Sequence, residues 1–123
     1  MDPKFEKIHE DKRGGIYLVN NLLDDGKEFT FLETKTGYSR GGCRHSNDEY
    51  LVVVKGKIRY MYGDKEEIIS SPESRLIPAG VVHGWIALED SILAEWGITT
   101  EEKRMDVKDP QMRGLIDKIN SGA

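Results

Sequence analysis

The chain has 123 residues, a net charge of −4 and one cysteine. That length fits a single domain, since domains most often run to about 100–150 residues, and it can bury a core without disulfides. With 37% hydrophobic and 33% charged residues the chain is globular rather than disordered, and its acidic balance excludes a general nucleic-acid binder.

Residues 1–13 are charged, and no element is assigned to them; His9 lies here and is read as exposed. Met1-Asp2-Pro3-Lys4 carries charge where a secretory signal needs an apolar stretch. No apolar run approaches the roughly 18–20 residues of a membrane helix. Cys43 has no partner within the chain for a disulfide. Together these features point to a reducing, cytoplasmic setting.

From Gly15 onward, short runs rich in β-branched and aromatic residues alternate with turn signals. Strands are expected over Gly15–Val19, Glu28–Lys35, Glu49–Lys55, Lys57–Tyr62, Glu67–Ser70, Val82–Leu88 and Ile92–Ile98. Phe29 and Phe31 share one face by the two-residue period of a strand. Leu51–Val54 is apolar on both faces, which suits a strand between two packed layers. Lys55-Gly56-Lys57 and Tyr62-Gly63-Asp64 read as tight turns. So many short strands imply a β-sandwich or barrel. Asp109-Pro110 then opens a helix of about 109–120, with Asp as cap and Pro at the first position. Met112, Leu115, Ile116 and Ile119 recur at the spacing of one apolar helical face. Lys65-Glu66-Glu67 and Glu101-Glu102-Lys103-Arg104 read as solvated surface.

The chemistry-bearing residues fall in two stretches. Cys43 and His45 are two apart, and Glu49 follows at the start of an apolar strand. Later, Pro78-Ala79-Gly80 delivers His83 into a strand. Cysteine, histidine and carboxylate side chains are the ones that bind divalent transition metals. The alternative is a pair of hydrogen-bonded histidines lining an empty pocket. Arg40 and Arg44 flank a glycine pair and could clamp an anion or lie in a solvated loop. Strict alternation would point both away from the Cys43–His45 face. Tyr38 is a candidate general acid or a packing residue, and Trp85 and Trp96 are core aromatics unless one stacks on a sugar at the mouth of a site.

These two stretches resemble the paired motifs of the cupins. Cys43-x-His45-x3-Glu49-x6-Gly56 follows the first motif, G-x5-H-x-H-x3,4-E-x6-G, except that Cys43 stands for the first histidine. Pro78-x-Gly80-x2-His83 follows the centre of the second, G-x5-P-x-G-x2-H-x3-N, with Pro72 and Ala87 in the outer places. The resemblance implies an all-β fold: one domain over 1–123, a double-stranded antiparallel, jelly-roll-like β-barrel over about 15–98, and a short C-terminal α-helix. It further implies a metal site of Cys43, His45, Glu49 and His83, holding Zn, Fe, Ni or Mn.

Tyr38-Ser39-Arg40-Gly41-Gly42-Cys43-Arg44-His45 is similar to stretches of small cupins that act on nucleotide-linked keto sugars. That likeness implies an isomerase or epimerase with His45 and Tyr38 as catalytic candidates and Arg40 and Trp85 at the substrate. A metal-dependent oxygenase and a non-catalytic small-molecule binder are the alternatives. A homodimer is expected, because exposed sheet edges otherwise invite aggregation.

Overall fold

The computed structural model describes residues 2–22 and 27–123. In chain order the strands are β1 (Lys4–Asp11), β2 (Gly14–Asn20), β3 (Lys27–Thr34), β4 (Ser39–Arg44), β5 (Glu49–Lys55), β6 (Lys57–Tyr62), β7 (Lys65–Ser70), β8 (Ser74–Ile77), β9 (His83–Ala87) and β10 (Ser91–Thr99). Helix α1 (Thr100–Arg104), strand β11 (Val107–Lys108) and helix α2 (Pro110–Gly122) complete the chain. No helix among the described residues is long and apolar enough to cross a membrane.

The strands form two antiparallel sheets, ordered β1-β2-β3-β10-β5-β8 and β11-β4-β9-β6-β7. Leu32, Leu51, Val53 and Leu93 from the first sheet pack against Ile58, Tyr60, Ile69 and Trp85 from the second. The central strands supply alternate residues to this core, as a pleat requires: β5 gives Leu51 and Val53, and β6 gives Ile58 and Tyr60. In β5, Glu49, Leu51 and Val53 point inward, while Tyr50 and Val54 are each 46% exposed on the other face. The double-sided apolar pattern of β5 therefore does not mark a strand between two layers of this chain. Its outer face is open.

The expected strands are present; Glu49–Lys55 and Lys57–Tyr62 match at both ends, and the other five differ by one or two residues at one or both ends. Strands β1, β4, β8 and β11 are additional. β4 contains Gly41-Gly42, which weakens any strand propensity. Its place is set by close approach instead: a Cβ on Gly41, at φ +110°, would lie 2.5 Å from Gly84 Cα in the neighbouring β9.

Helix α2 starts as its sequence implies. The Asp109 carboxylate accepts a hydrogen bond from Met112 N at 2.8 Å, and Pro110 occupies the first turn. Its packed face is rotated from the expected one. Ile116 is buried and, with Met112, lies over Gly84, whereas Leu115 is 46% exposed. Asn120 fixes this rotation by accepting from Ser39 N at 2.7 Å and donating to Ser39 O at 3.1 Å.

Candidate metal centre

His45, Glu49 and His83 come from three separate places. His45 lies one residue beyond β4, Glu49 opens β5 and His83 opens β9. Two contacts hold the loops together: Gly80 N donates to His45 O at 2.9 Å, and Ala79 N donates to the Asp48 carboxylate at 2.8 Å. The Pro-x-Gly turn thus anchors one histidine segment on the other.

All three side chains are buried, and their ligand atoms lie within 4.8 Å of one another. His45 Nε2 is 3.0 Å from Glu49 Oε1, and His83 Nε2 is 4.0 Å from the same oxygen. His83 Nδ1 is 3.4 Å from the Val81 carbonyl, an acceptor that suits N–H there and leaves the Nε2 lone pair facing Glu49. His45 Nδ1 lies 2.7 Å from Asp106 Oδ1. Yet neither His45 nitrogen, nor Glu49 Oε1, has a partner in hydrogen-bond alignment among the described residues. Buried polar atoms without aligned partners are costly, so this donor set is unfinished as pure protein. Two imidazoles and a carboxylate are the donors of a two-His-one-carboxylate centre, and they fit a divalent transition metal.

Cys43 is outside the three-donor set. The same-face argument needed an unbroken strand, but β4 is irregular between Gly41 and Cys43 and ends before His45. Cys43 pairs with His83 across the sheet and lines the adjoining cavity; burial raises its thiol pKa, partly opposed by Arg113.

That cavity has a volume of about 480 Å³. His45 and His83 form part of its wall, with Arg40, Trp85, Glu95 and Lys103. The β4 irregularity turns Arg40 inward, contrary to strict alternation. Arg40 is buried and neither a solvated loop residue nor a free clamp: its Nε donates to Glu33 O at 2.9 Å and its Nη2 to Gly14 O at 3.0 Å. Burial, reinforced by Arg13, lowers its pKa to about 10. Arg44 is exposed. Trp85 is 1% exposed and donates Nε1–H to Thr34 Oγ1 at 3.1 Å, so it is both core and cavity wall. Tyr38 is not part of this wall. It lines a separate cavity against α2 with Arg113 and Asn120. Trp96 is not in the core but on the outer sheet face, stacked with Phe29 and Tyr50. His9 is exposed, 2.9 Å from Asp11.

Three acidic or basic groups at the site were not singled out by the motifs. Glu95 in β10 is buried, with Oε2 4.0 Å from His83 Nε2. Burial, then the charge of Glu49, raises its pKa to about 7. A lone carboxylate in an apolar strand, on the same face as Leu93, was the legible signal. Lys103 belongs to a stretch expected to be solvated, yet it reaches the cavity, with Nζ 4.0 Å from Glu28. Burial works against its charge, but Glu95 and Glu49 outweigh that and raise its pKa. Helix α1 presents it through a capping box, in which Glu102 bonds back to Thr99 and also accepts from Asn47. Asp106 follows, steered by the pairing of β11 with Arg44 and Cys43. Burial likewise opposes charge on His45, but Glu49 and Asp106 prevail and raise its pKa to about 9. His83, with less compensation for burial, has its pKa lowered. The Tyr60 hydroxyl is buried without a partner among the described residues, and burial followed by Glu95 raises its pKa.

No curated protein sequence matches the chain. Solved structures with the same fold include KdgF from Halomonas sp., at TM-score 0.62 and 18% identity over 76% of this chain and 83% of that one. The capsular polysaccharide assembling protein CapF from Staphylococcus aureus aligns at TM-score 0.63 and 22% identity, over 78% of this chain and 28% of CapF. Fe(II)-HppE, solved with an alternative substrate, aligns at TM-score 0.60 and 16% identity over 79% and 56%. Residues 31–99, more than half of the chain, match the sequence family described as "Cupin domain". That stretch runs from within β3 to the end of β10 and contains all three candidate ligands, and the chain belongs to the cupin family.

Proposed function

We propose that the chain is a metal-dependent cupin enzyme, an isomerase or epimerase of a small keto sugar or similar carbonyl compound. The observation that carries this reading is a donor set at the edge of one cavity, with His45 and His83 in the cavity's wall and a further carboxylate on the same wall. His45, Glu49 and His83 form a donor set, and Glu95 stands beside it as a carboxylate outside that set. A metal held by His45, Glu49 and His83 supplies a Lewis acid for a carbonyl oxygen.

The remaining roles belong to the chain. A histidine that ligates a metal has committed its lone pair, so His45 is a ligand here rather than the base, and Tyr38 faces another cavity. Glu95 takes the proton. The substrate's α C–H bond breaks, the proton passes to a Glu95 carboxylate oxygen, and the bonding pair moves into the enediolate. Return of that proton to the former carbonyl carbon, with the α-hydroxyl proton shifting to the former carbonyl oxygen, gives the isomer; the epimer instead takes a proton from water on the opposite face of the same carbon while Glu95 keeps the one it removed. Lys103 offsets negative charge as it develops on the substrate. Trp85 and Leu32 give the cavity its apolar wall. Arg40, anchored on two carbonyls, shapes the floor rather than gripping the substrate by itself.

A second reading, a metal-dependent oxygenase, is favoured by the two-His-one-carboxylate donor set, which suits non-haem Fe(II). The two are separated by one assay. Metal-loaded protein is incubated without oxygen in D₂O with nucleotide-linked 4-keto sugars, and solvent deuterium in the substrate is measured. Incorporation that is lost in Glu95→Gln supports the isomerase. No incorporation, together with Fe²⁺-dependent oxygen uptake, replaces it with the oxygenase. Silence in both leaves a binding protein.

A further inference from the structure

On the basis of the carbonyl chemistry proposed above, we infer that the substrate carries an anionic group, a carboxylate or a phosphoryl group, gripped by Arg113 and Arg13. Both arginines line the cavity that holds His45 and His83, and both also line the second cavity, of about 450 Å³, that holds Tyr38. They therefore stand where the two spaces adjoin. A guanidinium takes carboxylate or phosphoryl oxygens two at a time, so a pair of them at such a junction selects charge as well as shape.

Arg113 reaches the junction from α2 because β4 puts no side chain in its way. A Cβ on Gly42, at φ +91°, would lie 2.6 Å from Arg113 Cδ, so the glycine leaves the space that the arginine stem fills. The half-buried guanidinium has one long bond to the backbone, from Nη1 to Gly41 O at 3.4 Å, and lies against the Cys43 thiol. Among the described residues no carboxylate forms an ion pair with it. Cys43 is paired with His83 across the sheet, and cross-strand neighbours have Cβ atoms about 5 Å apart. An anion on Arg113 therefore lies about one side chain from the metal donors, the separation between a substituent and the reacting carbons of one small molecule.

The wall beside it carries uncompensated positive charge. Arg40 is 3% exposed, and both of its hydrogen bonds go to backbone carbonyls. Burial, reinforced by Arg13, works against its charge, as expected where two guanidinium groups share a space poor in water. Arg13 is aimed by Asp11, whose carboxylate accepts from Nη2 at 2.6 Å, while its Nη1 donates to Ser39 O at 3.3 Å. Among the described residues, Arg13 alone of these three arginines has a carboxylate partner, in a chain whose net charge is −4. A charge held out of water without a partner is costly, and a bound anion removes that cost. Arg40, committed to two carbonyls, contributes its field, and Arg113 and Arg13 make the contact.

The test is calorimetric titration of the metal-loaded chain with three probes on one scaffold: glucose, glucuronate and glucose 6-phosphate. At least one anionic probe should bind about 10-fold or more tightly than glucose, and the better of the two identifies the group as carboxylate or phosphoryl. Arg113→Gln should weaken that probe roughly 10- to 100-fold, as loss of a charge-assisted hydrogen bond does, with Arg113→Lys intermediate and bound metal unchanged. Arg59→Gln, exposed on β6, should change nothing. A salt series on the unsubstituted chain needs no folded variant: added salt should weaken the anionic probe and leave glucose unaffected. Equal binding of all three probes, binding of none, affinity insensitive to salt, or unchanged affinity in both Arg113 variants would each overturn the inference. Failure of the carbonyl chemistry reads differently. An anionic probe bound through Arg113, with no deuterium exchange into 4-keto sugars, keeps the anion site and removes the isomerase. Deuterium exchange with kcat/KM unchanged in Arg113→Gln keeps the isomerase and removes the anion site.

Discussion

His45 meets a carboxylate at each ring nitrogen, Asp106 at Nδ1 and Glu49 at Nε2. Only Glu49 belongs to the donor set, so Asp106 is a positioning residue that acts through His45. A carboxylate behind a ligating histidine fixes its tautomer and orientation, and loss of such a partner typically costs 10–100-fold in metal affinity. Asp106→Asn is therefore expected to weaken Zn²⁺ binding by about that factor in a competitive chelator titration, with Asp106→Glu recovering part of it and the circular dichroism unchanged. An unchanged affinity would remove Asp106 from the site. At the surface, Asp11 accepts from Arg13, which holds its carboxyl well below the usual carboxylate range, with His9 adding to the effect. The folded state thus holds the proton less tightly than the unfolded chain. This contribution is present above the unfolded value near pH 4 and is lost as pH falls below it. The melting temperature of Asp11→Asn should lie slightly below that of the native sequence at pH 7, on the roughly 0.2–1 kcal/mol scale of exposed pairs. The two should converge toward pH 2.

Helix α2 shows what local sequence can and cannot specify about an element. Asp109 and Pro110 announce its start, because cap chemistry is local. Its rotation is not local. It is set by the room above Gly84 and by the pairing of Asn120 with Ser39, both from strands remote in sequence. The consequence is a contrast between neighbours. Ile116→Ala should cost about 2–5 kcal/mol in denaturant unfolding, whereas Leu115→Ala should stay within roughly 0.5 kcal/mol. Equal losses at both positions would restore the face expected from periodicity. The same reasoning explains β4 and Arg40. A glycine pair carries no strand pattern, and an irregular register reverses the side-chain direction that alternation assigns. Strands β5 and β6 were legible from their runs of β-branched and aromatic residues between the turn signals at Gly56 and Gly63, although only one face of β5 meets the core.

At the scale of the whole molecule, two loops and the starts of two strands in opposite sheets bring the site together. His45, Glu49 and His83 were legible because the motifs fix their spacing along the chain. Asp106 and Lys103 were not, since only the fold returns residues beyond β10 to the cavity. Glu95 lies between these cases, a carboxylate whose strand phase places it with Leu93. Glu95→Gln should retain metal while turnover falls by roughly 10²–10⁴-fold, the usual contribution of a general base. Retained turnover would assign the proton transfer elsewhere. The central claim is that His45, Glu49 and His83 hold one divalent transition metal. Its most direct test is elemental analysis of the purified chain, combined with calorimetric titration of metal-stripped protein with Zn²⁺ and Fe²⁺. The expected result is one equivalent per chain, lost on His45→Ala, Glu49→Ala or His83→Ala. No bound metal and no heat of binding, or binding unaffected by all three substitutions, would contradict it.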